Sequence, residues 1–291
     1  MSMFGNVITA SITPFDENLK INYKEFEKLI KHLEENSDSI LVFGTTGESP
    51  TLTLEEKIQI AKFAKETTKL PVIVNISSNN TEKSLKEMEE LEKTNVDGFL
   101  ITTPYYNKPP QDALYDYFSL LASKTTKPII IYNIPSRTGV DLEPKTIAEL
   151  SKIKNIVGLK QSHSDITKIS EILHLNPNFT IYSGDDILTL PALSLGAKGV
   201  VSVCSHIAGK MIKRMITLFP TNPDESKKIH YQLYRLFKVL FITTNPIPVK
   251  YALTLLGLDV NNLRPPLRKA NKEEMEKIKE VVQELLTQVT K

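Results

Sequence analysis

Lys160 closes the run Ile156-Val-Gly-Leu-Lys160, a lysine at the end of an otherwise apolar segment. If that segment is a strand, alternation places the side chain partly inside an apolar interior, where desolvation disfavours the ammonium form. A neutral amine can attack a ketone and form a Schiff base. Taken alone, the same residue reads more readily as a lysine that ends a strand and snorkels to solvent. The surrounding groups favour the first reading. Schiff-base chemistry needs protons moved to and from the carbinolamine and the enamine, and the sequence offers no histidine pair or carboxylate dyad for the task. Phenols remain. Tyr132 ends the preceding apolar run, and Tyr106 and Thr45 could pass its proton along hydrogen bonds. By itself a strand-end tyrosine is more commonly a half-buried amphipathic residue.

Gly44-x-x-Gly47 lacks the spacing and the lysine of a phosphate loop and the third glycine of a dinucleotide fingerprint. Its glycines are expected to bring backbone N–H groups close to a small anion, such as the carboxylate of a 2-oxo acid. Arg137, between Pro135 and Gly139, could grip a second carboxylate with two parallel hydrogen bonds, although a loop arginine is usually solvated. Cys204 and His206 have no partner at recognisable spacing and read as packing or interface residues. Of the adjacent Asp185 and Asp186, a helix N-cap explains one. No metal is expected, since the five histidines include no pair at ligand spacing.

The bulk composition excludes other classes. The 291 residues are 41% hydrophobic, enough for one large core. Thirty-six basic against 34 acidic residues give a formal charge of +2 without a long block of one sign, so no nucleic-acid partner is expected. One cysteine rules out an internal disulfide framework. Neither a basic leader nor a run of about 18 apolar residues is present, and a cytoplasmic protein without a membrane partner is expected.

The elements that must position these groups are set by periodicity. Eight short apolar, β-branched runs recur: Val7 to Ile12, Ile40 to Phe43, Val72 to Ile76, Gly98 to Thr102, Ile129 to Asn133, Ile156 to Lys160, Thr180 to Ser183 and Gly199 to Val203. Helical periodicity lies between them, and the runs are continuous enough for strands covered on both faces. Asn22 with Glu25, and Thr53 with Glu56, read as N-caps with a reciprocal acid; Pro144 suits a first turn. From Asn22 to Asn36, Tyr23, Phe26, Leu29, Ile30 and Leu33 share one face. Eight βα units in about 220 residues predict a (β/α)₈ TIM barrel over residues 1–222, with a C-terminal helical appendage over 223–291. In such a barrel the site forms where the strands end, which gathers Gly44–Ser49, Pro104–Asn107, Tyr132–Gly139, Lys160 and Gly184–Asp186 at one mouth.

In order along the chain, Gly44-Thr-Thr-Gly-Glu-Ser49, Thr103-Pro-Tyr-Tyr-Asn107, Tyr132-Asn-Ile-Pro135, Gly158-Leu-Lys160 and Asn245-Pro-Ile-Pro-Val-Lys250 resemble the signatures of the dihydrodipicolinate synthase and N-acetylneuraminate lyase superfamily. The resemblance covers nearly the whole chain and implies the same barrel with C-terminal helices. Ser136-Arg-Thr-Gly139 resembles the dihydrodipicolinate synthase branch; sialic acid lyases and many sugar-acid aldolases lack that arginine. The resemblance implies a Schiff base between pyruvate and Lys160, with no other cofactor. Its enamine would attack the aldehyde of aspartate 4-semialdehyde, and cyclisation would give 4-hydroxytetrahydrodipicolinate, on the way to diaminopimelate and lysine. The same likeness makes Tyr132 the general acid/base, Thr45 and Tyr106 the relay, Thr46 the ligand for the pyruvate carboxylate and Arg137 that for the semialdehyde carboxylate. Val201 and Gly184 would line the substrate pocket. Tyr106 would serve a neighbouring subunit's site across a tight homodimer, commonly paired into a tetramer.

Two stretches depart from the family pattern. Val74-Asn-Ile-Ser77 stands where Ala-Gly-Thr-Gly is usual, and Gln161-Ser-His-Ser-Asp165 where Glu-Ala-Ser-Gly-Asp is usual, which removes an acid near Lys160. Lysine feedback in the family uses a pocket near the equivalents of Ser49, Asn79 and Tyr105; Lys83 stands where inhibited members tend to carry glutamate, which implies weak or absent inhibition. Two alternatives share the scaffold. An aldolase for a 2-keto-3-deoxy sugar acid or 4-hydroxy-2-oxoglutarate would keep Lys160 and Tyr132 without needing Arg137, and a catalytically silent relative would only bind a 2-oxo acid.

Overall fold

The computed structural model describes residues 3–289. Eight strands close a barrel, each parallel to the next and the last paired with the first. They are β1 (Val7–Ala10), β2 (Ser39–Val42), β3 (Val72–Ile76), β4 (Gly98–Thr102), β5 (Ile129–Asn133), β6 (Ile156–Gln161), β7 (Thr180–Ser183) and β8 (Gly199–Ser202). All eight lie where the apolar runs predict them. β1 is shorter than expected because the chain turns out after Ala10, although Ser11 N–H still donates to Leu41 O at 2.8 Å.

Alternation divides the strand residues between two apolar regions. Ile8, Ala10, Leu41, Leu100, Tyr132 and Val201 fill the barrel interior. Val42, Val74, Ile101, Ile131 and Leu159 face the helices outside. Burying each such aliphatic side chain is worth about 1.5–3 kcal/mol, and both faces are dry, which is why the runs read as continuously apolar.

Among the described residues twelve helices accompany the strands: α1 (Tyr23–Asn36), α2 (Leu54–Thr67), α3 (Thr81–Glu92), α4 (Gln111–Ser123), α5 (Pro135–Thr138), α6 (Pro144–Leu150), α7 (Thr167–Leu175), α8 (Thr189–Ser194), α9 (Ser205–Leu218), α10 (Pro223–Val239), α11 (Ile247–Thr254) and α12 (Lys272–Val289). Residues 290 and 291 of the expected C-terminal helical appendage lie outside the described residues. α2 opens with the expected reciprocal cap between Thr53 and Glu56. α1 does not. Asn22 accepts from Glu25 N–H, but the Glu25 carboxylate turns away to Lys28 Nζ and Asp259 N–H, so only half of that cap forms.

The expected boundary at residue 222 falls between α9 and α10. Both pack in one apolar cluster with the outer face of β1 and β8: Val7, Val200, Ile212, Leu233, Phe237 and Val282 are buried together. No helix among the described residues is long and apolar enough to cross a membrane.

Candidate active site

At the C-terminal ends of the strands a cavity of about 200 Å³ opens. Its floor is apolar, with Ala10, Leu41, Leu100 and Val201, and its rim carries Thr45, Thr46, Tyr132, Arg137, Lys160 and Gly184. Of the residues expected at the site, seven therefore meet in one chain. Tyr106 does not line this cavity: it is 86% exposed, with a left-handed φ of 74°, and its N–H is held by Thr138 O at 3.1 Å.

Lys160 and Tyr132 are register partners on β6 and β5, so their side chains point to the same side of the sheet. Both are buried. Lys160 Nζ lies 3.9 Å from the centroid of the Tyr132 ring, over its face. Asp185 is the one carboxylate in the lining. Burial pushes its pKa up, and the Lys160 charge opposes that rise.

The turn after β2 lines the same cavity as Lys160. Gly47 N–H donates to Gly44 O, Glu48 N–H to Thr45 O and Ser49 N–H to Gly44 O, whereas the N–H groups of Thr45 and Thr46 make no hydrogen bond among the described residues. Two free donors beside a buried amine suit a carboxylate attached to a ketone. The glycines serve the turn unequally. A Cβ on Gly44 would touch only the Leu41 side chain, at 3.5 Å, whereas one on Gly47 would stand 2.7 Å from Phe43 Cα. Gly47 is thus required by packing against the chain's own backbone, a correction to the expectation that both glycines exist for an anion's approach.

By sequence the two aspartates look alike, and the fold separates them. Asp186 is buried; Ser202 Oγ donates to it, as do Val203 N–H at 3.0 Å and Cys204 N–H at 3.1 Å. It secures the turn after β8 and not a helix of its own, whose start has no side-chain cap. Asp185 alone reaches the site. His206 is buried, Nδ1 against Val203 O at 2.8 Å, and burial lowers its pKa to about 4; Cys204 is buried too. Both are packing residues, as expected. Among the described residues no group of three metal-ligating side chains occurs.

Most residues of the unusual stretches do not line the cavity. Asn75 is buried on β3 and accepts from Thr102 Oγ1 at 3.1 Å. Gln161 accepts from Asn133 Nδ2 at 3.2 Å, in a network that continues to Asp141. The missing acid therefore falls outside the cavity lining, and the carboxylate near Lys160 comes from Asp185. Ser162 does line the cavity, with its hydroxyl packed onto Gly184: a Cβ there would stand 1.8 Å from Ser162 Oγ.

Two contributors come from the far end of the chain. Asn245 lines the cavity and donates to Thr46 Oγ1 at 2.9 Å, and Lys250 meets Glu48 in a contact closed to solvent. Asn245 and Lys250 open and close the last of the five sequence motifs, but nothing in their spacing indicated which residues they would reach. Beside the cavity a groove of about 900 Å³, shared at Asp185 and Phe241, runs between Asp185–Leu188 and helices α10 and α12.

The dihydrodipicolinate synthetase family model matches residues 3–285. A 4-hydroxy-tetrahydrodipicolinate synthase of Desulforamulus reducens is 46% identical, over 97% of this chain and 97% of its own. One of Archaeoglobus fulgidus is 42% identical over 97% and 99%. The structure of the Cyanidioschyzon merolae dihydrodipicolinate synthase with lysine bound superposes with a TM-score of 0.95 at 41% identity, covering 98% of this chain and 99% of that one.

Proposed function

The chain belongs to the dihydrodipicolinate synthetase family and condenses pyruvate with aspartate 4-semialdehyde to 4-hydroxytetrahydrodipicolinate, in the route to diaminopimelate and lysine; we propose that it does so through a Schiff base on Lys160. The observation that carries this assignment of the site is the buried Lys160 amine, set over the Tyr132 ring in a cavity that Thr45 and Thr46 also line.

Pyruvate enters with its carboxylate at the Thr45–Thr46 turn, Thr46 being its ligand, and its methyl group toward Ala10, Leu41 and Val201. Lys160 attacks the ketone, water leaves, and the iminium draws electrons from the methyl carbon, so that no further cofactor is needed. Tyr132 moves the protons, with Thr45 as its neighbour in the relay. The enamine carbon then attacks the aldehyde. Arg137 receives the carboxylate of the semialdehyde at the rim, beside Gly184, and Asp185 is placed for its ammonium group.

The exposure of Tyr106 supports a role outside its own chain's cavity. In this reading it completes the relay of a second copy across a dimer, itself paired into a tetramer.

A coupled assay with pyruvate and aspartate 4-semialdehyde, run beside pyruvate with glyceraldehyde and with glyoxylate, tests the second substrate. Arg137→Ala should lower kcat/KM for the semialdehyde on the order of 10- to 100-fold, the worth of charge-assisted hydrogen bonds, and leave the pyruvate KM within about twofold. Equal activity toward the three aldehydes in the unaltered chain would sink the assignment of Arg137.

Lys83 is exposed in the first turn of α3, near Asn79, whose carbonyl accepts from Asn107 Nδ2 at 3.0 Å. A cation there opposes binding of a second ammonium. Lysine is accordingly expected to inhibit weakly or not at all. An inhibition curve reaching half effect below roughly 1 mM, about 4 kcal/mol of binding, would refute this.

A further inference from the structure

We propose that Lys250 is a positioning residue for the pyruvate-carboxylate turn: through Glu48 its ammonium fixes the angle at which Thr45 and Thr46 present their N–H groups to Lys160. The proposal rests on the reading that Lys160 carries pyruvate.

Lys250 Nζ lies 2.5 Å from Glu48 Oε1, and both side chains are 0% exposed. The same ammonium donates to Asn262 O at 2.7 Å and stands 4.5 Å from the Phe15 ring centroid. The other Glu48 oxygen accepts from Arg264 N–H at 3.0 Å. Each carboxylate oxygen is therefore held by the segment around α11 that succeeds the barrel. Arg264 is itself fixed, forking onto Glu56 at 2.8 and 2.6 Å and donating to Thr51 O at 2.8 Å.

These contacts anchor from outside a turn that is otherwise closed by its own backbone hydrogen bonds and the contacts of Thr13 and Asn245. Glu48 has a φ of 56°, a left-handed conformation that a side chain disfavours, and its N–H closes the turn onto Thr45 O at 3.1 Å. Thr13 Oγ1 pins Gly47 O at 2.7 Å, and Asn245, at the head of the segment that bears Lys250, donates to Thr46 Oγ1. A buried ion pair is a poor source of net stability, because desolvation offsets its attraction. Its distinguishing contribution is a fixed geometry, and the geometry here is that of the Thr45–Thr46 turn in the wall of the cavity that Lys160 lines. Burial pulls the Lys250 pKa down to about 8 against the pull of Glu48, in keeping with a dry contact.

The test is the pyruvate dependence of borohydride trapping on Lys160, read by mass, together with steady-state kinetics of the full-length assembly. Lys250→Met alone strands a buried carboxylate, so the informative variant is Glu48→Gln with Lys250→Met, which removes both charges at similar volume. In this folded double variant the half-saturating pyruvate concentration should rise about tenfold or more, while kcat and the semialdehyde KM stay within about threefold. Pyruvate half-saturation within about twofold of the unaltered chain would overturn the proposal. So would a loss spread equally over both substrates, which is the mark of a purely structural pair. If the double variant does not fold, Glu48→Asp, which keeps the charge and draws the carboxylate back by one methylene, carries the same expectation and the same refutation. Absence of a pyruvate adduct on the unaltered chain would remove the Lys160 reading itself, and the positioning role with it.

Discussion

Lys160→Ala should abolish the borohydride-trapped pyruvate adduct and lower condensation on the order of 10⁴-fold or more, with the fold intact. Among the described residues Lys160 is the one lysine lining the cavity, and Arg137, the other cation there, stays protonated and cannot attack a ketone. The loss cannot be shared out, because every later step uses the iminium as electron sink. Stability should change little: Lys160 Nζ makes no salt bridge or hydrogen bond among the described residues, so its removal strands no partner other than Asp185, which borders the open cavity. The check is intact mass after borohydride with pyruvate, beside kcat and a melting curve. Adduct on a folded Lys160→Ala chain would place the nucleophile elsewhere.

The second large effect is expected at Tyr132. Tyr132→Phe removes one oxygen and leaves the ring that packs against Lys160. Condensation should fall by about 10²- to 10³-fold, the usual worth of a positioned proton carrier, with KM for both substrates within a fewfold range. The pyruvate adduct should still form, more slowly, since attack by the amine does not require the phenol. Single-turnover trapping separates the two steps: slow adduct formation with normal final yield supports proton transfer by Tyr132, and a kcat within about fivefold of the unaltered chain refutes it.

The site was legible in the sequence to the extent that it is local or joins consecutive strands. Tyr132 and Lys160 end neighbouring apolar runs, and successive strands of a parallel barrel are neighbours in space, so their register pairing is set by order alone. Tyr106 could be named but not placed: in the fold it is exposed and stands outside the lining of its own chain's cavity. Asp185 and Asp186 could not be told apart. They are adjacent, and which one faces the cavity is decided by whether the turn after β8 comes close enough to offer Val203 and Cys204 N–H groups to a carboxylate.

By itself the sequence determined the eight strands, the helix starts at Thr53 and Pro144, and the set of groups able to do the chemistry. Those features depend on alternation, periodicity and capping, which act over a few residues. Tertiary structure alone decided that Asn245 and Lys250 return to Thr46 and Glu48 across 199 and 202 residues, and that Gln161 turns behind the sheet into the Asn133 network while Asp185 faces Lys160. The reason is physical: a buried polar group must find its partner wherever the closed barrel brings one, and no spacing along the chain encodes that distance.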